Sequence, residues 1–396
     1  MTNQNSTGNG DSALERRLSD RSTPKRLLSL DGGGIRGVVT LAFLQRIEEI
    51  LRKQHGDAYR LSEHFHLIGG TSTGSIIAAA LACGHEVAWI QEKYDLLSKS
   101  VFTRDDGGLL GWLKNRMGGV FCPKFDSVAL ENHLEHLFPH KLGSDAIKTG
   151  LMIMIRRVDS ASAWPIHNNP AGKYYMGPAE DSREQWVANK ELPLDRLILA
   201  SAAAPSYFEP QELIVGQLPN GREEVGLFVD GGISPHNNPA LQLLRLATLS
   251  GYCFKWPMGA ESMQLVSVGT GATKTICNRS FIEAKFAIDC LKGLMDDCAD
   301  EVELMLQWMS NSRTARSIDG EVGNLSNDLL GGEPLLSYHR YNIVLDGFWL
   351  SELMGRQLKP QEVERLREMD RPESLKLLKE IGRTAAARLV KEEDII

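Results

Sequence analysis

A serine between two glycines, Gly70-x-Ser72-x-Gly74, stands where a strand-like run meets a helix-like run. A sharp turn there would hold the hydroxyl oxygen exposed, and the flanking glycines would let the turn close. The N-terminus of the helix that follows favours negative charge developing on an attacked carbonyl. Alone, the pattern also fits a plain tight turn. Upstream lies Asp31-Gly32-Gly33-Gly34-Ile35-Arg36-Gly37, which satisfies the G-x-G-x-x-G signature of dinucleotide binding. That signature wants an acidic residue at the end of the next strand, but the next strand runs into Gly69-Gly70-Thr71-Ser72. A phosphate-binding P-loop fails too, because no Gly-Lys-Ser/Thr follows. What remains is a set of bare backbone N–H groups beside a serine, which is what stabilising an oxyanion requires. A third group, Asp230-Gly231-Gly232, closes another strand-like run. If strand ends of a parallel sheet converge on one edge, Asp230 reaches Ser72, and burial would make its carboxylate basic enough to take the serine proton. Its plainer alternative is a turn aspartate.

These groups need strands to carry them and helices to back them. Residues 26–30 read as a short buried strand, and apolar residues at Val39, Phe43, Leu44, Ile47, Ile50 and Leu51 recur at helical spacing after Gly37. Residues 64–69 read as a second strand, followed by a small-residue helix over about 75–83. Two strand–turn–helix units in succession mark a parallel α/β layer. Further strands are expected at 151–158, 227–229, 264–268 and within 335–345. Helices are expected at 195–204, from Asn238-Pro239 to about 249, at 280–309 and at 359–393.

Together, Asp31–Gly37, Gly70–Gly74 and Asp230–Gly232 resemble the patatin-like phospholipase family in motif order and spacing. Softer matches are Ser201-Ala-Ala-Ala-Pro205 with Tyr207-Phe208, Asn237-Asn238-Pro239, and Ser267-Val-Gly-Thr-Gly271. The resemblance runs from about 26 to 271. It implies a patatin-like three-layer α/β hydrolase with a mostly parallel central sheet and a helical C-terminal portion. It further implies a serine lipid acyl hydrolase of phospholipase A or lysophospholipase type, with membrane phospholipid or lysophospholipid as substrate and neither metal nor cofactor. By matching positions, Ser72 would be the nucleophile and Asp230 the base. Gly32, Gly33 and Gly34 would form the oxyanion hole, with Arg36 and Thr73 in support. The insert carrying Pro235 and His236 departs mildly from the family pattern. A Ser–Asp–His triad through His236 or His339 is the alternative to the dyad. A catalytically silent lipid-binding or scaffold protein on the same fold is the alternative to an enzyme.

Composition narrows the classes. With 396 residues, 42% hydrophobic and 24% charged, the chain can bury a sizeable core without staples, and it is neither disordered nor a disulfide scaffold. A net charge of −7 argues against a nucleic-acid binder, since phosphate neutralisation needs concentrated Lys and Arg. Six cysteines without a C-x-x-C pair read as free thiols, and ten histidines show no metal-ligand spacing. No secretory signal and no apolar run of spanning length appear, so a cytoplasmic protein with peripheral membrane contact is expected. Residues 107–121, rich in Leu, Trp and Gly with two cations, read either as a lid or membrane-dipping edge, or as a segment packed on the core. The domain expectation is a disordered tail over 1–24, a catalytic domain over 25–275, and a helical extension of the same domain over 276–396.

Overall fold

The computed structural model describes residues 12–102, 125, 127–179, 182, 185–273 and 283–395. The segment at 107–121 therefore lies outside the described residues. Helix α1 (Ala13–Ser19) precedes strand β1 (Lys25–Leu30), whose side chains alternate between two apolar layers. Leu28 and Leu30 enter one buried cluster and Leu27 enters the other, the period-two pattern of a strand covered on both faces. Next come α2 (Gly37–His55), α3 (Leu61–His64), β2 (Leu67–Thr71), α4 (Thr73–Ala82), α5 (Val87–Val101) and α6 (Ser127–Leu137). The middle of the chain forms β3 (Gly150–Arg157), β4 (Ser162–His167), β5 (Gln185–Trp186), α7 (Leu194–Ala202), β6 (Gln211–Gln217) and β7 (Glu223–Asp230). It closes with α8 (Ala240–Thr248), β8 (Met263–Val268), α9 (Glu283–Trp308), β9 (Ser310–Asn311), β10 (Leu336–Tyr341), α10 (Gly347–Met354), α11 (Pro360–Arg367) and α12 (Leu375–Leu389).

The strands make one mixed sheet in the order β5-β6-β7-β3-β2-β1-β8-β10-β9, with β4 also paired to β3. From β3 to β9 the pairings are parallel, as strand–turn–helix units require. One face is covered by α2, α4, α5 and α12, the other by α1, α8 and α9, so the architecture is a three-layer α/β sandwich. α12 lies so close on α2 that a Cβ at Gly382 would stand 2.9 Å from the Ala42 Cβ. The region after 276 is not purely helical, because it adds β9 and β10 to the sheet.

The expected tail is ordered in its second half. Leu14 and Leu18, one turn apart on α1, pack into the second apolar cluster, and Leu18 is 2% exposed. Arg17 Nη2 donates to the carbonyls of Ser62 and Phe65 at 2.9 and 3.1 Å. Composition suggested disorder; two leucines at helical spacing, docked onto a surface supplied from elsewhere in the chain, overrode it.

Candidate active site

Strand β3 explains how the site assembles. One of its edges is taken by β4 from Met152 to Arg157. The opposite edge is shared by two strands that approach head to head. β2 runs parallel to β3 and ends with Thr71 opposite Met154; β7 runs antiparallel and ends with Asp230 opposite Ile155. Ser72 and Asp230 are thus the residues at which two strands abut. The expectation of converging parallel strand ends is corrected here: β7 enters from beyond the C-terminal end of β3, and only its last three residues pair with it.

Ser72 caps α4 with φ 54° and ψ −125°, a conformation that strains a residue with a side chain. Its surroundings impose it. The Ser72 N–H donates to Ser201 Oγ at 2.9 Å, and that hydroxyl donates to Met154 O at 2.7 Å. A Cβ at Gly70 would stand 2.1 Å from Gly74 O, and one at Gly74 would stand 2.2 Å from Leu30 O. Only glycine fits at either position, so the two motif glycines serve close backbone packing around the turn.

The Asp230 carboxylate takes a hydrogen bond from Ser72 and another from the Gly232 N–H at 2.7 Å. It is 5% exposed, and burial pushes its carboxyl up to about 6 against the pull of those two donors. A carboxylate with that affinity is a proton acceptor suited to neutral pH. Neither histidine bonds Ser72 among the described contacts. His236 meets the site through its main-chain carbonyl, which accepts from Thr71 Oγ1 at 2.6 Å, and burial lowers its ring to about 4. His339 instead bonds Ser337 at 3.0 Å and stands 4.0 Å from Asp394.

Of the three expected oxyanion glycines, Gly32 is corrected. Its N–H donates to Asn237 O at 3.1 Å, so it has no proton to offer. A Cβ there would sit 2.5 Å from Asn237 Oδ1 and 3.1 Å from the Ser72 Cβ, so the residue is closely packed between the two. Gly33 and Gly34 line the cleft, and their N–H groups have no acceptor among the described residues. The N–H of Thr73 opens α4, where no carbonyl of the same helix can reach it. Arg36 is 7% exposed, is absent from the cleft lining, and donates through Nε to Gly33 O at 3.4 Å. It braces the loop from behind. Burial lowers its guanidinium to about 10.

A cleft opens over Ser72 and Asp230. Its walls include Ile76, Leu97, Val101, Phe102, Leu130 and Phe208, an apolar lining suited to a hydrocarbon chain. Sequence reasoning missed Tyr94, which lines the cleft and donates to Gly34 O at 2.5 Å. It missed the part played by Ser201 and Asn237 as well; both lay in noted motifs, but no local signal pointed to Ser72 or Gly32. Among the described residues no three His, Cys, Asp or Glu side chains converge to hold a metal ion, and no helix is long and apolar enough to cross a membrane.

Comparison with known proteins bears on this geometry. A family model described as patatin-like phospholipase matches residues 28–244. An intracellular phospholipase A2 of Caenorhabditis elegans is 33% identical over 283 residues, covering 68% of this chain and 22% of that protein. Patatin-17 of Solanum cardiophyllum is 27% identical over 255 residues, covering 62% and 60% of the two chains. A cGAMP-activated phospholipase of Escherichia coli is 28% identical over 226 residues, covering 56% and 55%. The chain spans less than two thirds of the length of each of these relatives.

Proposed function

The chain belongs to the patatin-like phospholipase family, and on that premise we propose that it is a serine lipid acyl hydrolase acting through a Ser72–Asp230 dyad on glycerophospholipids or lysophospholipids. The observation that carries the reading is the buried Asp230 carboxylate, raised to about 6 and hydrogen-bonded to Ser72. In this mechanism Ser72 Oγ passes its proton to Asp230 as it attacks the ester carbonyl. The resulting oxyanion is held by the N–H groups of Gly33, Gly34 and Thr73, which stabilise the transition state more than the ground state. Collapse breaks the ester bond, and Asp230 returns the proton to the departing alcohol. Asp230 then takes a proton from water as the hydroxide attacks the acyl-serine, and returns it to Ser72 Oγ as the acyl–oxygen bond breaks, releasing the free fatty acid and restoring both residues.

The substrate class is supported by the cleft's division of labour. Ser72 and Asp230 share the cleft with Leu97, Val101, Phe102 and Leu130, which give it hydrocarbon walls. An acyl chain there would gain about 0.8 kcal/mol for each buried methylene. The deciding experiment incubates purified protein with a fluorophosphonate probe and with phosphatidylcholine vesicles. Probe mass on the peptide bearing Ser72, and fatty-acid release lost in Ser72→Ala, are expected. A folded, unlabelled and inactive wild-type protein would sink the enzyme in favour of a silent lipid binder.

A further inference from the structure

The glycine loop begins at Asp31, a residue outside the cleft lining and 5% exposed. Its carboxylate is gripped by the guanidinium of Arg340 on β10, Nη1 to Oδ1 at 2.9 Å and Nη2 to Oδ2 at 2.6 Å. The same guanidinium donates from Nη1 to Ser267 Oγ of β8 at 2.8 Å and from Nε to Glu303 Oε1 of α9 at 3.0 Å. Glu303 in turn accepts from Arg316 Nε through its other oxygen at 2.6 Å. Asp31, Arg340 and Glu303 side chains are each 7% exposed. Burial pushes the Asp31 carboxyl up while Arg340 pulls it back. Burial likewise opposes the Arg340 charge, and Asp31 with Glu303 more than offsets it.

Such a cluster is a poor way to gain stability, because desolvating the ions costs several kcal/mol before their attraction is counted. What it does supply is direction. Two parallel N–H···O bonds fix a carboxylate in plane as well as in place, which a lysine cannot do. Direction is what this loop lacks by itself: three glycines follow Asp31, and glycine backbone holds no preferred orientation. The neighbouring ties act on main-chain atoms: the Asp31 N–H donates to Val268 O, Gly32 is tied to Asn237 and Thr270, Gly33 O accepts from Arg36, and Gly34 O accepts from Tyr94 and Thr73. None of them holds the loop by the side chain at its entry, as the Arg340 fork does.

We propose that Arg340 is a positioning residue for the oxyanion loop: its fork on Asp31 anchors the loop's entry and, together with those main-chain ties, keeps the Gly33 and Gly34 N–H groups turned toward the Ser72 site, with Glu303 of α9 holding the guanidinium in that orientation. The proposal rests on the reading of Ser72 as nucleophile and goes beyond it, since Arg340 touches no reacting atom. Loss of the fork should act on the transition state and leave ground-state binding in the apolar cleft alone.

Arg340→Lys keeps the charge and loses the fork. With a soluble short-chain ester, kcat is expected to fall about 10²-fold, the cost of misplacing catalytic groups by about 1 Å, with KM within about threefold of wild type. Amide hydrogen exchange should quicken in the peptide spanning residues 31–36 and stay unchanged in β2 and β3. Asp31→Asn keeps the shape, weakens the same bonds, and serves if Arg340→Lys does not fold; a smaller loss confined to kcat is expected. The double variant should be no worse than the worse single one, because both remove one interaction. A raised KM with kcat retained, additive losses, or unchanged exchange over 31–36 would each overturn the proposal. If wild type neither cleaves esters nor takes the fluorophosphonate, the hydrolase reading fails by itself, and the exchange result still decides whether Arg340 orders the loop.

Discussion

The parallel half of the sheet and its antiparallel wing meet at Met154, and they are built on different terms. β1, β2 and β8 are buried nearly throughout, with helices on both faces. In the wing, β6 and the first half of β7 alternate, and the paired Ile214 and Val225 are each 45% exposed. Ser72 comes from the first region, Asp230 from the one buried end of the second. Its strand is anchored by Phe228, Val229 and Asp230, exposed by 0%, 5% and 5%. Ser72 thus sits on a turn backed by packed strands and helices, whereas Asp230 is delivered by the tip of a strand that is otherwise half in water. Sensitivity to substitution should therefore be uniform across the elbow and concentrated in the last residues of β7.

The largest effect expected from this contrast is at the wing's tip. Asp230→Asn should lower kcat by about 10³-fold or more, the upper range for a general base. The same change should stabilise the fold at pH 8. The Asp230 carboxyl is raised from 3.8 to about 6, so the folded state binds its proton more tightly than the unfolded one. The cost of burying the charge is fully present above the folded value and absent below the unfolded one. The variant's advantage should reach up to roughly 3 kcal/mol at pH 8, shrink as pH falls through 6, and vanish below about 4. Thermal melts across that range test it; a variant less stable at pH 8 would break the account of Asp230. In wild type, kcat/KM should fall about tenfold per pH unit below 6, because the protonated carboxyl cannot accept.

A smaller effect is expected at the elbow. Ser201→Ala leaves the Ser72 N–H without its partner, at a cost of about 1–3 kcal/mol in stability and roughly tenfold in kcat. Chemical denaturation and steady-state kinetics read the two separately, and a silent variant would show that packing alone holds the turn. The smallest effect belongs to the wing's exposed face. Ile214→Thr should move stability by no more than about 0.5 kcal/mol and leave turnover unchanged. Loss of activity there would mean that the base depends on the whole hairpin, and the contrast between the two regions would fall.

Legibility followed the same division. Strands β1, β2 and β8, the helices behind them and the glycine positions were readable because each obeys a rule within a few residues. Apolar runs end in glycine, and a Cβ has no room at Gly70 or Gly74. The antiparallel approach of β7 was not readable. Nothing in Leu227–Val229 says whether the strand joins β3 from inside or from beyond its end, and that register is a long-range pairing. α1 was missed for a related reason, since two leucines in a polar stretch gain their value only from the surface that receives them.

From the sequence alone came the α/β layering, the serine turn, the glycine loop and the aspartate at a strand end, because local sterics and hydrophobic periodicity leave few other solutions. Only the tertiary structure decided that Gly32 spends its N–H on Asn237 while Gly33 and Gly34 find no acceptor for theirs among the described residues. Likewise, only folding could join Asp31 to Arg340, 309 residues away. Hydrogen bonds and ion pairs are satisfied by whatever folding brings within about 3 Å, and no composition or spacing along the chain records which partner that will be.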